Sequence, residues 1–145
     1  MNANSPDKLS SIYVPLHLAY GLVPIVAGAD KFLHLLTDWN KYLPAAVAER
    51  LPLPAATFMM IVGVIEIVAG VAVLVLPRVG SLIVALWLVA ISVNLILGGF
   101  YDIAVRDLMM ALGAYVLFQV AALRGEHWIP RAAHPQGTPV HVGAR

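Results

Sequence analysis

The residues able to do chemistry are few, and most of them sit inside apolar sequence. Glu66 is the deepest. It falls about 18 Å along a helix that would start after Pro54, at about 1.5 Å per residue, near a bilayer midplane. A charge there costs about 2.5–3.5 kcal/mol on insertion scales, so Glu66 should face other helices and not lipid. Gly63, Glu66 and Gly70 share one helix face at i, i+3, i+7, and small residues on a face let a second helix come close. Such a glutamate is either protonated and hydrogen-bonded between helices, or a proton-relay or ligand group; burial accommodates both. Lys31 extends a similar stripe formed by Gly21, Pro24 and Gly28. Its expected partners are Asp30, Glu66 and the acidic residues opening the last helix, as a structural salt bridge or as part of a site. His34, one turn beyond Asp30, could exchange a proton in the same patch.

Asn94 lies near the end of the third apolar run, and Asp102, Arg106 and Asp107 open the fourth at a similar depth. Acidic residues in a first helical turn suit the helix dipole. Arg106 can snorkel to water or bind a carboxylate such as Asp30. Asp30, Lys31, His34, Glu66, Asn94, Arg106 and Asp107 therefore form a candidate polar pocket in one membrane half. The competing possibility is a set of local ion pairs that hold helices together.

Other chemistries are poorly served. The chain has no cysteine, which excludes thiolate catalysis, disulfides, and Fe–S or Cys-zinc sites. His17 and His34 lie on one helix about 25 Å apart, so they cannot be opposed haem ligands within one chain. His127, His134 and His141 recur every seven residues without acidic or cysteine companions, so no metal is expected. Met59-Met60 and Met109-Met110 suit packing better than ligation. Phosphate-loop, zincin and Ser-His-Asp patterns are absent from the sequence.

The elements that must position these residues are membrane helices. The chain has 145 residues, 61% apolar and 12% charged, whereas soluble domains average about 45–50% and about 25%. Its net charge of +1 offers no basic field for nucleic acid. Four runs, at 12–36, 55–76, 81–97 and 103–123, reach the roughly 20 apolar residues that a span needs. The third has no polar face of the kind a soluble bundle shows. The expected fold is all-α: a polytopic membrane protein with a four-transmembrane-helix bundle at 12–123. An N-terminal cytoplasmic segment precedes it at 1–11, and a flexible C-terminal tail follows at 124–145.

Pro52 and Pro54 suit the start of the second helix. Pro77-Arg78-Val79-Gly80 reads as a tight connection to the third, Gly98-Gly99 as that helix's end, and Asp102 as an N-cap for the fourth. Trp39 and Tyr42, in the one long loop, suit the headgroup layer. An A-x-A match at Ala27-Gly28-Ala29 raises a signal peptide, but Pro15, His17 and Pro24 interrupt its apolar region and apolar sequence continues past it. Lys8, Arg78, Arg124, Arg131 and Arg145 fall on the side of the termini, against Lys41, Arg50 and Arg106 opposite. The positive-inside rule then places both termini in the cytoplasm.

Several of these residues carry a resemblance. Gly28-Ala29-Asp30-Lys31-Phe32 resembles the end of the first helix in DoxX-like membrane proteins. Glu66 with Gly70 is similar to that family's second helix, the Pro77-Arg78 hairpin fits its spacing, and Arg106-Asp107 resembles the start of its last helix. Where family members often carry an arginine earlier in the first helix, this chain has His17. The resemblance implies a four-helix bundle in a prokaryotic inner membrane, associated with redox chemistry and with quinone as a ligand class. The expected function is a small integral subunit or accessory protein of a membrane oxidoreductase complex, more a non-catalytic subunit than an enzyme. It would bind no cofactor covalently or through metal ligands, and its partners would be the lipid bilayer, other subunits, or itself. A small solute or proton transporter and a purely structural bundle remain the alternatives.

Overall fold

The computed structural model describes residues 5–126. Within them the chain forms five α-helices and one 3-10 turn, with no strand. Helix α1 is Ser5–Leu33, the 3-10 turn is Trp39–Tyr42, and α2 is the single turn Ala45–Ala48. Helices α3 (Ala55–Val75), α4 (Pro77–Leu97) and α5 (Tyr101–Leu123) follow. Helices α1, α3, α4 and α5 are long and apolar enough to cross a bilayer; 21 residues span roughly 31 Å, close to a hydrocarbon core. Their outward surfaces expose valine, leucine and isoleucine, as at Val68, Val75, Leu86 and Leu97. In water that surface would be a large unsatisfied patch; in lipid it is ordinary.

The helix boundaries refine the expected ones. Helix α1 already runs from Ser5, so much of the lead-in segment at 1–11 is helical. Helix α4 begins at Pro77, not at 81, because proline at the first helical position loses no hydrogen bond. The connection from α3 is therefore Leu76 alone, and Pro77-Arg78-Val79-Gly80 is the first turn of α4. Asp102 is not the N-cap of α5: the helix starts two residues earlier than expected, at Tyr101 with Phe100 as cap, and Asp102 lies in its first turn. Gly98 and Gly99 do end α4, Gly99 with φ +79°. Phe100 N–H donates to Leu95 O and Gly99 N–H to Ile96 O, satisfying carbonyls the helix leaves open. Most of the expected tail, including His127, His134 and His141, lies outside the described residues.

Packing follows the small residues. Helix α1 lies along α3 and α4 along α5, while α3–α4 and fewer α1–α5 contacts close the bundle. On the α1–α3 seam, a Cβ built on Gly28 would collide with Gly63 O, and one on Gly70 would sit 2.5 Å from Gly21 O. Two glycine pairs, one heptad apart on each helix, thus let the backbones touch. Tyr20 bridges α1 to α5 by donating to Met110 O over Gly113. Ser81 and Ser92, both buried, donate to carbonyls one turn back, so neither is left unsatisfied.

The bundle is divided along its length. At the end where α1 begins and α5 finishes, the core is apolar: Tyr13, Val73, Val84, Leu117 and Val120 among others. Its seams there are held by His17, whose ring nitrogen pairs with Val73 O at 2.9 Å, and by Arg124, which donates to Ser10 and lies over Tyr13. The buried charges lie toward the opposite end.

Candidate functional site

Lys31 on α1 and Glu66 on α3 form a buried ion pair, Nζ to Oε2 at 2.5 Å, with side chains 4% and 10% exposed. Glu66 does face into the bundle, as its glycine-flanked stripe predicts. Each residue stands three positions beyond one of the facing glycines, Gly28 and Gly63, so close backbone approach carries both side chains into the seam. Trp39, from the 3-10 turn, closes the loop side: the Lys31 ammonium lies 3.8 Å from its ring centroid. A lysine in this position has a carboxylate on one side and an aromatic face on the other, a combination that replaces much of its lost hydration.

Asp30, the neighbour of Lys31, serves the backbone and not the lysine. Its Oδ1 accepts from Leu35 N–H (2.8 Å) and Leu36 N–H (3.0 Å), and its Oδ2 accepts from the Trp39 indole N–H (2.7 Å). These bonds turn the chain back over the end of α1, where His34 takes a left-handed conformation with φ 54°. Glycine is usual at that position, and histidine is among the side chains that tolerate it better than most. Asp30 thus shapes the segment that presents Trp39 to Lys31.

Two further groups complete the cluster. Asp107 on α5 is buried, 9% exposed, and interacts electrostatically with both Glu66 and Lys31. On α4 the Trp87 indole nitrogen is buried without a hydrogen bond of normal geometry, close enough to Glu66 to act on its carboxylate. One cation, two carboxylates and an N–H donor therefore converge from all four spanning helices. Such a set can hold a proton or hydrogen-bond a small polar group within an apolar bundle.

Of the sequence candidates, the structure brings together Asp30, Lys31, Glu66 and Asp107. Asn94 belongs to the margin: its side chain donates to Tyr42 O at 3.0 Å and ties the loop to α4. His34 and Arg106 are exposed and take no part in the cluster. His34 is the turning point of the chain, and Arg106 is exposed on the surface of α5. The sequence did not single out Trp39 or Trp87 for the site. Trp87 left one usable signal, since an indole N–H within an apolar span needs a partner. Trp39, expected at the headgroup layer, also packs its ring on Lys31 and gives its N–H to Asp30, roles the sequence did not indicate. Among the described residues, no group of three or more His, Cys, Asp or Glu could hold a metal ion.

Fold and site together define a class: a multi-pass, all-α membrane bundle with a charged cluster buried between its helices. Beyond that class, no family model, curated protein or solved structure matches the chain.

Proposed function

We propose that the chain is a small integral subunit or accessory protein of a quinone-linked redox assembly in a prokaryotic inner membrane, with both termini cytoplasmic and no redox centre of its own. The observation that carries this reading is the Lys31–Glu66 pair between Trp39 and Trp87. A quinone carbonyl accepts hydrogen bonds of the kind an ammonium or an indole N–H donates, and its ring stacks on an aromatic face. The resemblance to DoxX-like proteins rests on the same residues, Lys31 beside Gly28, Glu66 beside Gly70, and Asp107, and supplies the redox context. The test is purification from native membranes in mild detergent, with mass spectrometry of bound quinone and co-purifying proteins. Bound quinone that is lost in Lys31→Met, together with a cofactor-bearing partner, is expected. A protein that purifies alone and quinone-free would overturn the reading.

Asp107 favours a second reading. Two carboxylates facing one lysine suit a proton carrier in a small transporter. Proton-coupled uptake into proteoliposomes, abolished by Glu66→Gln, would distinguish it.

A further inference from the structure

We infer that residues 35–43 form a latched lid over the Lys31–Glu66 pair, with Asp30 as the latch, Trp39 as the plug and His34 as the hinge. The inference extends the reading of this pair as a site, but it concerns access and does not depend on quinone.

The segment is attached at few places, and they differ in kind. Its beginning is held by the carboxylate of Asp30, which gathers two backbone N–H groups and the Trp39 indole N–H. Its far end is held by a side-chain bond from Asn94 to Tyr42 O, by an edge-on contact between the Tyr42 and Phe100 rings, and by the buried side chain of Leu43. Between them, the Trp39 ring lies against the Lys31 ammonium.

The closed position also carries two local costs. His34 is held at φ 54°, a conformation L side chains rarely adopt. The Asn40 side-chain oxygen is buried with no hydrogen-bond partner. An open segment relieves both, since the backbone at His34 can relax and the Asn40 oxygen can meet water. Tyr42 and Leu43 keep the far end anchored, and closure of the stretch around Trp39 depends on the Asp30 carboxylate and the Trp39–Lys31 contact. Because both hold the same short segment, they should release together, opening a path to the pair from the loop side while the apolar half of the bundle stays closed.

The chain has no cysteine, so single introduced thiols report access cleanly. Met59 is buried on α3, seven residues before Glu66 and so on the same face nearer the loop end. Val73, fully buried near the other end of α3, serves as the control. Met59→Cys is labelled with a water-soluble maleimide in the otherwise unaltered protein, then combined with Asp30→Asn or with Trp39→Leu. The second change leaves the two backbone bonds to Asp30 intact and removes the plug together with its indole bond to Asp30. Each combination should accelerate labelling roughly tenfold to a hundredfold, the range expected when a charge-assisted hydrogen bond or a desolvated cation–π contact is lost. Val73→Cys should remain unreactive in both backgrounds. The lid is refuted if Met59→Cys labels equally fast with the latch intact, or if neither change accelerates it. It is refuted equally if Val73→Cys becomes reactive in step, since Asp30 and Trp39 would then hold the whole fold and not a lid. Quinone content is read separately, so loss of the redox reading leaves this result standing.

Discussion

Lys31→Met should be the most damaging single change in the polar cluster, more so than Glu66→Leu. In the native bundle Lys31 faces two carboxylates, Glu66 at 2.5 Å and Asp107 at longer range. Removing the lysine leaves both acids in a low-dielectric interior without their cation, and breaking a buried pair from one side costs about 3–5 kcal/mol. Loss of the contact with Trp39 adds about 1–2 kcal/mol. Glu66→Leu is milder, because Lys31 keeps the Trp39 ring and the attraction of Asp107, so the lower end of the range, about 3 kcal/mol, applies. The double variant Lys31→Met/Glu66→Leu removes the paired charges together, leaving Asp107 and the Trp39 ring without the cation, and should lie within about 3 kcal/mol of the native protein. The cycle then gives a coupling energy of at least about 4 kcal/mol between the two positions. Equilibrium unfolding of the purified protein in mixed micelles, followed by tryptophan fluorescence, measures all four corners, and Trp39 and Trp87 place reporters at the pair itself. Additivity within about 0.5 kcal/mol would show that the residues do not act as a unit. A larger loss for Glu66→Leu than for Lys31→Met would refute the role assigned to Asp107.

Gly63→Ala should destabilise the bundle by about 1–3 kcal/mol, because its Cβ would meet the Gly28 carbonyl oxygen at 2.6 Å and backbone cannot swing aside; the same micelle assay reads it, and an unchanged midpoint would mean that the α1–α3 seam is looser than drawn. A reporter fused after Arg145 should behave as cytoplasmic and one inserted near Lys41 as external, since the basic residues concentrate on the side of the termini; the reverse pattern would overturn the orientation while leaving four spans.

The spanning helices were legible because an uninterrupted apolar run of bilayer length is costly to expose anywhere but in lipid. Their ends were less so. Pro77 reads equally as a turn or as the first residue of a helix, and only the one-residue connection at Leu76 decides between them. Lys31 and Glu66 stood out because a charge within an apolar run demands a partner, and their stripes of small residues indicated that both face the bundle; the partner of Lys31 stayed open among Asp30, Glu66 and the acids that begin the last helix. Trp39 shows where that logic stops. The amphipathic ring that suits a headgroup layer also suits an ammonium, and seeing that second role requires knowing that Asp30 folds the loop back. Arg106 is the converse case. Its position beside Asp107 suggested a shared pocket, yet adjacent residues on a helix point about 100° apart, and only Asp107 falls on the inward side.

The glycine seam also accounts for how this pair of charges can meet at all. Gly28 faces Gly63 and Gly21 faces Gly70, so α1 and α3 run antiparallel with the first pair level. Lys31 lies three residues past Gly28 on one helix, and Glu66 three residues past Gly63 on the other. Antiparallel register therefore places their Cα atoms on opposite sides of the glycine contact, about 9 Å apart along the axis at about 1.5 Å per residue. In an α-helix each side chain leans toward its own N-terminus. Here both leans are directed back across the glycines, one from each side, and the long side chains close the gap to a direct hydrogen bond. Placed three residues before the glycines, the same two charges would lean apart and remain unpaired in an apolar interior. Small residues and ion pair are thus one device, in which the glycines set the depth of the seam and the direction of the helices decides that the charges can neutralise each other within it.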